Sequence, residues 1–394
     1  MTTQSGAESR ETDGVEPGVW DPSGVWDPFV PPPYPYDRLD PIKTLAAEHE
    51  GGVIDLSIGT PFDPPPLSVI DALSSSNAER GYPPSIGTPA FREAAAAWLN
   101  HIVDTSITEA DVRATIGSKE VVAGMPHWLR LRRPDLDTVL YPAVSYPSYA
   151  MGARLANCRA VPVPVDDQWR IDLSAIDPAD AARALCLWVN TPGNPAGGMD
   201  DLEAAAAWGR ANGVPVFSDE CYIEFTWEGS PRSILEYGTD GVVAVHSLSK
   251  RSNLAGARAG FFAGDADLIH YLGEVRKHAG FMPPGPVQAA AVAAFTDQAH
   301  VVEQADRYQR RLGLGIEMLA AIGVEATMPK GGFYLWAPAP NGDAWALTER
   351  LAREAGVLVS PGEFYGEQGS GHIRVAVVQP DDKFQLAGRR LGLR

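Results

Sequence analysis

Cysteine is scarce in this chain, with three in 394 residues, at positions 158, 186 and 221. Cys158, Cys186 and Cys221 form no CxxC metal pair, and an odd, sparse set does not build a disulfide framework. That usage fits a reducing compartment, so a cytoplasmic protein is expected, with each thiol a small buried apolar group. Histidine is thin as well: there are eight, none in a metal-ligand spacing, and no metal site is expected. His246 and His278 are expected to pack or hydrogen-bond near a site rather than to catalyse. Long hydrophobic runs are missing, since residues 289–295 fall far short of the roughly 20 apolar residues of a membrane helix. Residues 1–16 show no basic-then-apolar secretion signal. Positive charge is in deficit, with 32 Lys and Arg against 50 Asp and Glu, a formal net charge of −18. Such a surface repels nucleic-acid phosphates and anionic lipid headgroups, so neither nucleic acid nor membrane is an expected partner.

What is present is an ordinary globular composition, 45% hydrophobic and 21% charged, in a chain long enough for more than one domain. Residues 1–36 differ from the rest. They carry Gly18-Val19-Trp20-Asp21-Pro22, repeated as Gly24-Val25-Trp26-Asp27-Pro28, then Pro31-Pro32-Pro33. This composition predicts a flexible tail; the alternative is an arm whose Trp20, Trp26 and Tyr34 dock on a neighbouring subunit or cover a site. From about Asp40 onward, short apolar runs alternate with amphipathic stretches. Strands are predicted at 53–56, 138–141, 184–189, 214–217 and 241–245, and helices at 89–100, 201–211 and 302–321. That alternation predicts an α/β fold with a mostly parallel, buried sheet, and functional residues just past the carboxyl ends of its strands.

Four polar segments carry the chemistry. His246-Ser247-Leu248-Ser249-Lys250 follows an apolar run directly, a poor place for a solubilising charge. A lysine amine can form a Schiff base, and Ser247 and Ser249 with Arg258, set among small neighbours, suit a phosphate. In Ser218-Asp219-Glu220-Cys221-Tyr222 the aspartate ends another apolar run. Alone it would be a helix cap; beside the lysine it is the buried carboxylate that keeps a pyridine ring protonated, and Tyr222 could donate to the ring's phenolate oxygen. Asn190-Thr191-Pro192-Gly193-Asn194-Pro195 fixes a tight loop from which the Asn194 amide could reach the same oxygen. Gly117-Ser118-Lys119-Glu120 opens a predicted helix, whose free amides make a phosphate site.

Taken in chain order, the four segments resemble the class I/II aminotransferases, fold-type I pyridoxal-phosphate enzymes, over nearly the whole chain from about residue 37. More narrowly, residues 244–250 with Ser252-Asn253-Leu254-Ala255-Gly256, Arg276-Lys277-His278-Ala279-Gly280 and Pro361-Gly362-Glu363-Phe364-Tyr365-Gly366 resemble actinobacterial succinyldiaminopimelate aminotransferases. The resemblance implies a large domain, 53–285, around a mostly parallel seven-stranded sheet, and a smaller α+β domain from 37–52 and 286–394. It implies pyridoxal 5'-phosphate as cofactor and a homodimer with a shared site. Lys250 would carry the cofactor and move the substrate proton. Asp219 would pair with the ring nitrogen, and Tyr222 and Asn194 with the phenolate oxygen. Ser118, Ser247 and Arg258, with the amides near Gly117 and Lys119, would hold the phosphate. Tyr146 would stack on the ring, and Tyr82 would reach the phosphate of the partner subunit. Gly59 would lie over the substrate, and Arg374, in a short β-like run, would clamp its α-carboxylate.

The implied reaction exchanges an amino group between an amino acid and a 2-oxo acid, with glutamate/2-oxoglutarate as one pair and an N-succinyl-diaminopimelate-like substrate as the other. Ala257, Arg251 and the tail depart from the narrower pattern and are expected to bear on the substrate side. They motivate the alternative, a pyridoxal-phosphate enzyme of specialised biosynthesis that eliminates, replaces or forms carbon–carbon bonds. A non-catalytic binding protein is disfavoured, because Lys250, Asp219, Arg258 and Arg374 are all present.

Overall fold

A computed structural model describes residues 29–393; the paired Gly-Val-Trp-Asp-Pro copies, with Trp20 and Trp26, lie outside the described residues. Its strands are β1 (Ile54–Asp55), β2 (Val112–Thr115), β3 (Thr138–Pro142), β4 (Arg159–Val163), β5 (Ala184–Asn190), β6 (Val216–Asp219), β7 (Val242–Ser247), β8 (Gly260–Gly264), β9 (Tyr334–Pro338), β10 (Val357–Leu358), β11 (Ser360–Pro361) and β12 (His372–Ala376). The large sheet has seven strands in the order β2-β8-β7-β6-β5-β3-β4. From β7 through β6, β5 and β3 to β4 all pairings are parallel, and only β8 runs against its neighbours β2 and β7. Every residue of β5, β6, β7 and β8 is buried, so these strands read as unbroken apolar runs instead of alternating ones. The predicted 214–217 strand starts later, at Val216, because Pro215 has no N–H to give to the ladder.

The predicted helices form as Pro89–Ile102, Leu202–Asn212 and Ala299–Ala321. Thr88 and Asp201 cap the first two by accepting backbone N–H groups of Phe91 and Ala204. Gly213, at φ +65°, ends the second in the left-handed conformation that glycine adopts without strain.

A smaller unit stands against the large sheet. It holds the antiparallel sheet β11-β12-β9 and the parallel pair β1-β10. Its core gathers Ile54 and Leu56 with Tyr308, Leu312, Phe333, Leu351, Val375 and Phe384. Packing therefore divides the chain differently from the expected boundaries at 53 and 286. β1 pairs with β10 and belongs with the smaller core. The helix Gly285–Thr296, which carries no charged side chain, buries Ala290, Ala291, Ala294 and Phe295 in the cluster of Phe91, Trp98 and Phe261 beside the large sheet. The end of the predicted tail is also ordered by contact: Pro35–Leu39 forms a 3-10 helix, and the Tyr36 ring lies 5.3 Å from that of Phe364. Among the described residues no helix is long and apolar enough to cross a membrane.

Candidate active site

β5, β6 and β7 end side by side, and the residues at and after their carboxyl ends line a cavity of about 440 Å³. Asp219 closes β6. Its Oδ2 accepts the Tyr149 hydroxyl at 2.9 Å, and its Oδ1 accepts the Cys221 N–H at 3.3 Å. Burial raises its pKa, so a cation placed against the carboxylate would offset a cost the fold already carries. Ser247 closes β7 and caps the short helix Leu248–Arg251 by accepting the Ser249 N–H at 3.1 Å. Lys250 on this turn faces the cavity and donates to the Gly59 carbonyl. Burial, then the positive charge of Arg374, lowers its pKa to about 8, bringing a nucleophilic free amine within reach of neutral pH.

One corner of the cavity has the chemistry to receive a dianion. Gly117, at φ +85°, caps the helix Ser118–Arg132, and a Cβ there would fall 2.2 Å from the Arg258 Nη2. Only glycine admits the guanidinium this close. The first amides of that helix, the Ser247 and Ser249 hydroxyls and Arg258 converge here, with Ser118 and Lys119 on the cavity wall.

The opposite wall comes from the ends of the chain. Arg374, the third residue of β12, is 2% exposed. Its Nη1 donates to Asn194 Oδ1 at 2.8 Å, its Nη2 to the Ser57 carbonyl at 2.5 Å and the Tyr36 hydroxyl at 3.4 Å. The guanidinium carbon lies 4.3 Å from the Tyr334 ring centroid and 4.7 Å from that of Tyr365. Its buried Nε has no partner. A guanidinium held by uncharged oxygens, with one donor orphaned, is a receptor for a carboxylate. Gly59 closes the wall: a Cβ there would sit 2.0 Å from the Tyr334 hydroxyl.

The structure thus gathers Gly59, Ser118, Lys119, Tyr146, Asn194, Asp219, Tyr222, Ser247, Lys250, Arg258 and Arg374 around one space. The Asn194 Oδ1 is taken by Arg374, which leaves its amide nitrogen for the cavity; the Tyr222 hydroxyl is bonded to that of Tyr334 at 2.8 Å. Tyr82 is elsewhere, 98% exposed and off the cavity wall.

Three expectations are corrected. Arg251 does not face the substrate side. Successive residues of a helical turn point about 100° apart, so with Lys250 facing the cavity Arg251 is driven into the core. There it donates to Glu224 at 2.6 Å and to the Ala294 carbonyl at 2.6 Å. Ala257 likewise packs against the large core. His278, at the last position of the helix Ala266–His278, is exposed, whereas His246 is buried between Trp98 and Phe261, 3.3 Å from Glu220. Sequence reasoning gave no role to Tyr149, Tyr36 and Tyr334. Tyr149 stands three positions past Tyr146, which the resemblance had picked out, while the signal for Tyr334 was the Gly331-Gly332 pair before an aromatic strand.

Residues 51–389 match the family model of aminotransferase class I and II. The chain belongs to that family. As an aminotransferase it acts with pyridoxal phosphate on amino-acid and 2-oxo-acid substrates. The residues present fit that cofactor, with a buried carboxylate, a low-pKa lysine and a dianion cradle in one cavity. It is 40% identical to a 4-dedimethylamino-4-oxo-anhydrotetracycline transaminase of Streptomyces rimosus, over 91% of this chain and 99% of the relative. It is 33% identical to an LL-diaminopimelate aminotransferase of Aquifex aeolicus, over 92% and 96% of the two chains. Among solved structures, one from Thermus thermophilus named a probable N-succinyldiaminopimelate aminotransferase is 31% identical, with a TM-score of 0.81 over 91% of this aminotransferase and 100% of that chain.

Proposed function

We propose that this cavity is the transamination site, and that it exchanges an amino group between the glutamate/2-oxoglutarate pair and a larger amino acid of the N-succinyl-diaminopimelate type. The observation that carries the reading is that Asp219, Lys250, Arg258 and Arg374, the last with its orphaned Nε, all line one cavity. Bound there, pyridoxal phosphate supplies the electron sink for the bond broken at the substrate α-carbon. Lys250 holds the cofactor and its Nζ moves the proton at the α-carbon. Asp219 keeps the ring nitrogen protonated, held in place by Tyr149, while Asn194 and Tyr222 serve the phenolate oxygen and Tyr146 covers the ring face. Ser118, Ser247 and Arg258, with the backbone amides near Gly117 and Lys119, hold the phosphate, and Arg374 takes the α-carboxylate, with Gly59 above the substrate.

The proposed unit is a cytoplasmic homodimer, with the small domain drawn from both chain ends. Its support is a strip of exposed apolar side chains at Ile58, Phe62, Leu67 and Ile70, close in sequence to the 98% exposed Tyr82, which a second copy would cover as Tyr82 enters its site.

For the larger substrate, Lys119 is exposed at the cavity mouth, 6.0 Å from the Tyr34 ring, a cation available to a second carboxylate. A second reading is favoured by the name of the 40% identical Streptomyces rimosus relative: a polycyclic ketone as amino acceptor, against the tyrosine wall of Tyr34 and Tyr36. The test is paired turnover. N-succinyl-LL-diaminopimelate with 2-oxoglutarate is expected to yield glutamate. Glutamate consumption only with a polycyclic ketone would transfer the assignment to the second reading, and no amino exchange with either would overturn both.

A further inference from the structure

Between β1 and the helix Leu67–Ser75, residues 57–63 cross the substrate side of the cavity with several outward side chains bare, Ile58 and Phe62 among them. Within one subunit the segment packs little and is held from beneath, its bare Ile58 and Phe62 lying in the strip that a second copy would cover from outside. At its start the Ser57 carbonyl accepts Arg374 Nη2 at 2.5 Å and Ser360 Oγ at 2.7 Å. In the middle the Gly59 carbonyl accepts Lys250. At its end the Asp63 carboxylate receives a bidentate pair from Arg311, Nη1 to Oδ2 at 2.6 Å and Nη2 to Oδ1 at 2.9 Å, and Gln304 Nε2 at 2.9 Å.

Arg311 and Gln304 stand seven positions apart on the helix Ala299–Ala321, two turns along one face, and both are buried. Each also grips another element. Gln304 Oε1 accepts Asn253 Nδ2 at 3.2 Å, three residues past Lys250. Arg311 Nε donates to Asp381 at 2.7 Å, at the start of the helix Asp381–Arg390. One carboxylate thus ties the segment over the cavity to the lysine-bearing turn and to the smaller core. None of Asp63, Gln304 or Arg311 lines the cavity.

We propose that Asp63 and Arg311 are positioning residues for the amino-acid substrate: their buried bidentate pair sets the height of segment 57–63, and with it Gly59, over the site. The inference rests on the assignment of the cavity above. The pair's effect is on substrate affinity, since cofactor contacts come from the strand ends on the other wall.

Asp63→Asn in the holoenzyme removes the charge and one arm of the fork while keeping the shape. It is expected to raise the KM for L-glutamate about tenfold, with kcat within about threefold and the visible cofactor band unchanged, as misplaced positioning groups do. Arg311→Lys keeps the charge without the fork and is expected to fall between wild type and Asp63→Asn. Asp381 grips the same guanidinium from the far side, and Asp381→Asn is expected to lower Tm while leaving KM in place. A KM for Asp63→Asn within twofold of wild type would overturn the proposal. So would an equal rise in KM for Asp381→Asn, which would make the pair a general prop. A wild-type enzyme whose cofactor band ignores L-glutamate would instead overturn the donor assignment on which the proposal stands.

Discussion

The two walls of the cavity are built by different means. On the cofactor wall Asn190, Asp219 and Ser247 are the last residues of adjacent strands, and Lys250 follows within one turn. Their relative positions are set by the backbone register of three fully buried parallel strands. The substrate wall is templated only in part, by the paired strands β12 and β9 that carry Arg374 and Tyr334. It joins Tyr36 to Tyr365 across 329 residues and Arg374 to Ser57 across 317, through side-chain hydrogen bonds. A wall fixed by sheet register resists change, whereas one assembled from side-chain bonds between distant segments can be reshaped by single substitutions. Substrate preference is therefore expected to be decided on the second wall.

Breaking each wall in turn sharpens the contrast. Lys250→Ala removes the amine proposed to hold the cofactor and move the proton, and turnover is expected to fall by about 10²–10⁴-fold or more while the fold survives. Turnover near that of wild type would contradict the assignment. Arg374→Ala opens the other wall; kcat/KM for L-glutamate is expected to drop about a hundredfold with the cofactor retained, the scale of losing a buried charge-assisted fork. Equal loss of cofactor would mean that the walls are not separable. In Gly59→Ala the new methyl meets the Tyr334 hydroxyl, which is itself bonded to Tyr222, so Tyr334 must move. Glutamate KM is expected to rise about tenfold, read from initial rates, with the visible spectrum unchanged.

The smallest effect is in pH. The Lys250 amine, lowered to about 8 by burial and then by Arg374, loses its proton below the range of an exposed lysine. In apoprotein the rate of pyridoxal-phosphate uptake is expected to climb as pH passes through 8, the free amine being the reactive form. Between pH 8 and the ordinary lysine value the unfolded chain binds more protons than the folded one, so this group adds stability as pH rises. Arg374→Ala should move the uptake midpoint upward, by removing a nearby positive charge.

The same contrast explains what could be read in advance. The α/β class and the central strands were legible because β5, β6 and β7 are buried on both faces and read as continuous apolar runs. β4 was not: it is an edge strand with Pro162 inside and mostly incompletely buried residues. Asn194, Asp219, Ser247 and Lys250 stood out as polar residues at or just beyond such runs. Tyr36 and Tyr334 gave no comparable signal, because a tyrosine in a Pro-rich stretch or an aromatic strand is ordinary until the fold brings it to Arg374. Arg251 misled for the converse reason: as the next residue after Lys250 it points about 100° away round the helical turn, into the core.

The most direct measurement is an absorbance titration of the purified holoenzyme with L-glutamate. The expected result is loss of the visible band of lysine-bound cofactor, with 2-oxoglutarate released in equal amount, and no such band in Lys250→Ala. A wild-type band that persists at saturating glutamate with no 2-oxoglutarate formed, or a Lys250→Ala protein that behaves as wild type, would contradict the assignment of this cavity.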